Sequence, residues 1–258
     1  MSPVSAMSGW HWAIKGWRLF VRQPAQLTTL FASNMFLLLL LGMIPILGHV
    51  LPLILTPTCT MALMSACALI ERGEPVAPNV WLAAFRGPAF PSLFRLGLLY
   101  LLAGCIALWA SRWADGGLLW QLVSGQMTID PNAKTLPDVS RGMLAALLAW
   151  LPAALILWYC APLIMWRNMR LSKAVFYSSV TVWRLGPAFV MYALAWIMFG
   201  VMLPLVVNLL VAAMLPNPGL RLLIALSISL IVSVALYCSF YPSYTEVFGQ
   251  PDLPAPGL

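Results

Sequence analysis

From Pro24 to Ile70 the chain reads PAQLTTLFASNMFLLLLLGMIPILGHVLPLILTPTCTMALMSACALI, without one Asp, Glu, Lys or Arg. A membrane crossing takes about 20 apolar residues, so this stretch holds two, turning near His49. Further uncharged runs cover Leu96–Ser111, Gly142–Trp166, Gly186–Leu220 and Leu222–Thr245. Together they predict six helices, over about 27–47, 50–70, 92–111, 143–166, 188–214 and 221–243. In the third, Arg95 lies in the first turn and must snorkel to the headgroups.

Composition agrees. Hydrophobic residues make up 62% of the 258 and charged ones 8%, with a mean hydropathy of +0.91. Soluble domains carry roughly a quarter charged residues, so a soluble fold is excluded. Transmembrane β-barrel strands alternate polar and apolar residues, which these runs do not. Lipid offers backbone amides no partners, so the spans are helical. The expected fold is an all-α polytopic bundle in one integral membrane domain, 1–258. No removable signal peptide is expected, because no small-residue cleavage site follows a short apolar core near the start.

The net charge of +7 suggests nucleic acid only if the placement of the charges is ignored. Lys and Arg accumulate on the cytoplasmic side of short loops. With six spans and an inside N-terminus, the cytoplasmic set is Lys15, Arg18, Arg22, Arg72, Arg86, Arg95, Arg167, Arg170, Lys173 and Arg184. The outer set is only Arg112, Lys134, Arg141 and Arg221. Both termini are therefore expected in the cytoplasm.

A module recurs around small Pro-containing steps: Arg22-Gln23-Pro24-Ala25, Arg86-Gly87-Pro88-Ala89 and Leu185-Gly186-Pro187-Ala188. Trp17 and Trp81 sit seven residues before the first two prolines; the third copy has Val180 there and Trp183 nearby. Each step ends a basic amphipathic stretch and opens a pair of spans, giving modules of about 8–72, 77–169 and 170–249. An outer loop at 112–141 and a tail at 250–258 complete the chain. In the first copy, Trp10, Ala13, Ile14, Trp17, Phe20 and Val21 share one side of a helix, with His11, Lys15, Arg18 and Arg22 on the other. In the second, Val80, Trp81 and Phe85 precede Arg86; in the third, Phe176, Val180 and Trp183 oppose Arg170, Lys173, Thr181 and Arg184. Such helices lie in the headgroup plane. The candidate lipid-interface residues are thus Trp10, Lys15, Trp17, Arg18, Arg22, Trp81, Arg86, Arg170, Lys173, Trp183 and Arg184, facing anionic headgroups. A bundle-packing stripe is the competing reading of the first helix. Pro57, Pro162 and Pro242 mark the returning helix of each module as candidate kinks, with neighbouring Thr58, Thr60 or Ser243 hydroxyls available to the freed carbonyls. Kinks at matching places outline cavities in some transporters; local packing is the simpler explanation.

No catalytic constellation emerges. The span centres hold no ionisable residue, and His11 and His49 each stand alone. Glu71 and Glu74 flank Arg72, which reads as a solvated local ion pair. Asp115, Asp130 and Asp138 share the outer loop with nothing to fix their geometry. The five cysteines (Cys59, Cys67, Cys105, Cys160 and Cys238) fall inside spans without CxxC spacing or a His partner. They read as small buried hydrophobes. No cofactor, metal or disulfide is expected. Asn34 and Asn208 offer hydrogen bonds between helices, and Ala225, Ser229 and Ser233 form a small-residue stripe for close helix approach.

Three segments carry a family resemblance: Gly9-Trp10-His11-Trp12-Ala13-Ile14-Lys15-Gly16-Trp17-Arg18-Leu19-Phe20, Glu71-Arg72-Gly73-Glu74-Pro75, and Tyr241-Pro242-Ser243-Tyr244-Thr245-Glu246-Val247-Phe248-Gly249. Together the chain resembles a family of six-span inner-membrane proteins of β- and γ-proteobacteria. That family is similar in layout to the membrane domain accompanying some glycerophosphodiester phosphodiesterases. The resemblance implies a bacterial inner membrane and transfers no catalytic residue. The expected function is a non-enzymatic scaffold or accessory subunit contacting anionic lipid, with a membrane protein as a possible partner and no nucleic acid. A transporter or lipid-handling protein for an apolar or amphiphilic cargo is the alternative. An enzyme acting on lipid at the membrane surface would need Glu71, Glu74 or the outer aspartates to converge.

Overall fold

The computed structural model describes residues 5–45, 47–76, 79–127 and 138–251, and only the backbone of His49, Asn79 and Trp81. Asp130, Lys134, the tail from 252 onward and the side chains of His49 and Trp81 lie outside the described residues. Among the described residues every regular element is helical. The order is α1 (Ser8–Arg22), α2 (Pro24–Gly42), α3 (Leu51–Glu71), α4 (Asn79–Arg86), α5 (Phe90–Asp115), α6 (Leu118–Val123), α7 (Ser140–Ile156), α8 (Cys160–Arg167), α9 (Leu171–Arg184), α10 (Gly186–Trp196), α11 (Leu203–Met214) and α12 (Pro218–Phe248). Six helical stretches among the described residues are long and apolar enough to cross a membrane: Pro24–Gly42, Leu51–Glu71, Phe90–Asp115, Ser140–Arg167, Gly186–Met214 and Pro218–Phe248. The chain is an all-α polytopic membrane bundle.

A short helix precedes each pair of spans: α1 before α2 and α3, α4 before α5 and α7–α8, α9 before α10–α11 and α12. Prolines open many of these helices because the first turn has no intrahelical acceptor for an N–H. Pro24, Pro187 and Pro218 do so at α2, α10 and α12. Pro88, read as the start of the third span, instead lies in a turn, and Pro91 occupies the first turn of α5. At α12 the Asn217 Oδ1 accepts from the Gly219 and Leu220 amides at 2.9 and 3.2 Å, satisfying two of the orphan donors of a helix start.

Two spans are interrupted. Between α7 and α8 the helix breaks at Leu157–Tyr159, where Pro162 has no N–H to continue the ladder to residue 158. The freed Tyr159 N–H donates to the buried Ser178 Oγ of α9 at 3.0 Å. Pro162 therefore sits in the first turn of a new helix rather than in the middle of one. Pro57 and Pro242 lie inside α3 and α12, as does Pro152 inside α7. Between α10 and α11 the chain widens into a π-helical turn over Ile197–Met202, just before Pro204, a common device where a proline removes a donor.

Burial is uneven. In the most apolar window of α3, 67% of the residues are buried, whereas none is in that of Gly186–Met214. The core cluster draws on residues near one end of the bundle: Trp12, Leu27, Phe31, Met61, Ile70, Leu93, Tyr159, Leu163, Tyr192, Cys238, Tyr241 and Tyr244. Large apolar side chains toward the other end, such as Leu39, Trp109, Leu147, Leu210 and Leu226, point outward. In lipid such side chains need no protein partner, whereas the end where α1 meets α12 is close-packed.

Candidate functional site where the first and last helices meet

α1 packs between α10 and α12, and glycine makes this possible. A Cβ on Gly9 would run into the Ala188 carbonyl oxygen and the Tyr192 amide of α10. One on Gly16 would lie 2.5 Å from Ser239 Cα of α12. Between them Trp12 is fully buried, its ring 5.7 Å from Phe189 and 6.0 Å from Tyr192. The Tyr192 hydroxyl sits 2.5 Å from Ser239 Oγ, which itself donates to the Leu236 carbonyl. The buried line of α1 is thus Ser8, Gly9, Trp12, Ala13, Gly16, Leu19 and Phe20. The expected apolar face is divided: Ala13 and Phe20 are buried, Trp17 and Val21 are exposed, and Trp10 and Ile14 are half-buried. α1 both packs and presents a second, apolar line outward, with Trp10 tilted against Phe199 at 5.1 Å.

Polar contacts tie the same end together. Lys15 Nζ donates to Glu246 Oε2 at 2.9 Å, the one salt bridge among the described residues. The Tyr241 hydroxyl donates to Glu71 Oε2 at 2.6 Å, and Gln250 Nε2 reaches the same oxygen at 2.9 Å. Arg72 Nη2 donates to the Pro251 carbonyl at 2.7 Å, Arg167 Nη2 to the Phe248 carbonyl, and Gln23 Nε2 to the Glu74 carbonyl at 3.3 Å. The local ion pair expected around Arg72 is therefore replaced by three hydrogen bonds, Glu71 with Tyr241 and Gln250 and Arg72 with Pro251. The three segments behind the family resemblance meet here, which their separation in sequence conceals.

The remaining candidate interface residues fall into two environments. On α9 the buried residues Ala174, Ser178 and Val182 face the bundle. Phe176, Val180 and Trp183 are exposed, Trp183 to 89%. Arg170, Lys173 and Arg184 are exposed beside them, with Lys173 5.8 Å above the Tyr177 ring. Arg18, Arg22 and Arg86 are exposed on α1 and α4, whereas Lys15 is held by Glu246.

Of the kink prolines, Pro57 and Pro162 line one cavity of about 250 Å³ between α3, α5, α7, α8 and α12; Pro242 is buried but does not line it. The neighbouring hydroxyls do not serve the freed carbonyls. Thr60 donates to Thr56, Ser243 to Phe240, and Thr58 Oγ1 is buried with no partner. Asn34 bonds across helices to the Cys59 carbonyl at 3.3 Å. Asn208 instead lines an outward groove of about 530 Å³ with Gly200, Ala225, Ser229 and Ser233.

At the other end Asp115 and Asp138 act on helix starts. Asp115 accepts from the Gly117 and Leu119 amides at 2.8 Å each, and Asp138 accepts from the Ser140 amide and hydroxyl at 3.0 and 2.5 Å. Those two bonds hold the Asp138 carboxyl below the usual range. Exposed Trp109, Trp113 and Trp120 gather near this end, and Trp17 and Trp183 near the other. Tryptophan favours both interfaces of a bilayer.

Over 263 residues, 99% of this chain and 96% of the other, the sequence is 32% identical to a probable inner membrane protein of Burkholderia thailandensis. No family model matches the chain, and no solved structure matches it significantly.

Proposed function

This chain belongs to the family of the Burkholderia thailandensis probable inner membrane protein, and from that premise we propose a non-enzymatic scaffold or accessory subunit. Its termini face the cytoplasm, and it holds anionic lipid at that surface. The carrying observation is α9, where exposed Phe176, Val180 and Trp183 run beside exposed Arg170, Lys173 and Arg184. An apolar line next to a basic one seats a helix in the headgroup layer. Each basic residue near an anionic surface adds about 1 kcal/mol. α12 supports the same placement: its 31 residues span about 46 Å, well beyond the roughly 30 Å hydrocarbon core. Its Ser239–Phe248 end, where α1 crosses it, thus reaches the interface.

The likeness in layout to a membrane domain that accompanies an enzyme fits a role beside a partner. The span Gly186–Met214, with no burial in its most apolar window, leaves a surface for one. The transport reading has a single observation in its favour, the cavity beside Pro57 and Pro162. Its volume suits a ring rather than a passage.

The test is lipid selectivity in nanodiscs of phosphatidylethanolamine and phosphatidylglycerol, read by native mass spectrometry of retained lipids. Wild-type protein retains phosphatidylglycerol in excess, and R170Q/K173Q/R184Q loses most of that excess. Equal retention by both proteins would remove the lipid role. Cysteine labelling at position 172 in intact cells and in spheroplast lysates checks the orientation; modification in intact cells contradicts it.

A further inference from the structure

The cavity beside Pro57 has walls that are aromatic and uncharged, and they carry phenol and indole donors. Tyr100, Trp150, Trp158 and Tyr237 line it. Neither phenol hydroxyl and neither indole N–H makes a hydrogen bond among the described residues. The threonine hydroxyls of the wall are turned away onto their own helix, Thr56 to the Pro52 carbonyl at 2.8 Å and Thr60 to Thr56 at 2.9 Å. The rings are held by one another: Tyr100 lies 5.9 Å from Trp150, Trp158 4.8 Å from Phe240 and Tyr237 5.4 Å from Phe240. The walls are therefore preformed.

Each of these features narrows the occupant. No Asp, Glu, Lys, Arg or His lines the space, so nothing balances an ionic ligand. Indole N–H groups only donate, and phenols donate most readily. The ligand must supply acceptors. Flat aromatic walls suit a flat ring. The volume of about 250 Å³ falls just under the usual range of about 300–1,000 Å³ for drug-sized ligands, so it takes one ring and not a whole lipid. An acyl chain of the same volume would leave every donor unmet.

We propose that this cavity binds the ring of an uncharged, membrane-soluble carbonyl compound of the quinone type. Binding involves no electron transfer. The carbonyl oxygens accept from Tyr100 and Tyr237 while Trp150 and Trp158 flank the ring, and any tail passes into the surrounding lipid. Such a site gives the bundle a reason to leave these donors without a partner in the protein.

The full chain in phosphatidylcholine nanodiscs is titrated with decylubiquinone by isothermal calorimetry, with decylbenzene as the comparator lacking carbonyls. The wild type shows saturable binding of one quinone and no matching signal for decylbenzene. Tyr100→Phe and Tyr237→Phe each keep the ring and remove one donor, weakening binding about fivefold apiece. Ala154→Leu places extra volume at a lining position and abolishes binding while leaving the unliganded melting temperature within a few degrees. The absence of saturable binding, which is the result for a cavity holding water alone, overturns the proposal. So does decylbenzene binding as well as the quinone, or a double Phe variant with unchanged affinity.

Discussion

Gly16 of α1 and Ser239 of α12 meet backbone to backbone, with a Gly16 Cβ position only 2.5 Å from the Ser239 Cα. Neither partner is a flexible side-chain tip, so added bulk can be accommodated only by moving a helix. Gly16→Ala is expected to cost about 1–3 kcal/mol, the range for overpacking a well-packed contact. Gly42→Ala has open space around it and should be neutral or gain up to about 1 kcal/mol from helix propensity. Thermal unfolding in one detergent compares the two. Equal melting temperatures would mean that the crossing is loose.

Tyr241 is 1% exposed and places its hydroxyl on Glu71. Tyr241→Phe keeps the packing against Trp166, whose ring lies 6.1 Å away, and removes one hydrogen bond to a carboxylate. Glu71 is exposed, so water partly replaces the lost bond, and the expected loss is about 1 kcal/mol. Gln250 and Pro251 are held by Glu71 and Arg72, so Glu71→Ala should also speed proteolysis just after Phe248. Unchanged cleavage would show that the tail is anchored elsewhere.

Ser178 answers the Tyr159 amide, which the α7–α8 break strips of a helical partner. Ser178→Ala leaves the buried Tyr159 N–H unsatisfied, at an expected cost of about 1–3 kcal/mol. Hydrogen exchange at Leu157–Cys160 should rise in the variant. If it does not, another acceptor has moved into place.

Asp138 accepts from the Ser140 hydroxyl and amide, and its carboxyl is held below the ordinary value of 3.8. A depressed folded-state value contributes stability above the unfolded value and loses it as pH falls through the folded one. Exchange protection of the Ser140 amide should therefore be flat near neutrality and fall only in strong acid. Asp138→Asn should lose that acid dependence. A Ser140 profile with a step near neutral pH would assign the effect to another group.

Much of this architecture is legible in the sequence because spanning lipid is so demanding. Uncharged runs of sufficient length cannot do much else, and all six appear, with the Pro24 and Pro187 starts marking boundaries. What periodicity misjudges is which line of α1 packs. Counting apolar residues singles out Trp17 and Val21, which face outward, while the packing contact runs through Gly9 and Gly16, which score as nothing on a hydropathy scale. Two glycines seven residues apart with Trp12 between them carried the signal. Pairings such as Lys15 with Glu246 and Tyr241 with Glu71 join residues on different helices. No spacing rule along one chain foretells them.

The seat of α1 also sets an order of events during biosynthesis. Lys15 and Glu246 are separated by 231 positions, and the Ala188, Tyr192 and Ser239 surfaces that receive α1 are made late as well. At about 5–20 residues per second of translation, the leading helix waits roughly 10–45 s for its berth. During that interval its two glycines and Trp12 are uncovered, so a nascent chain halted before α12 is the form that membrane proteases should recognise first.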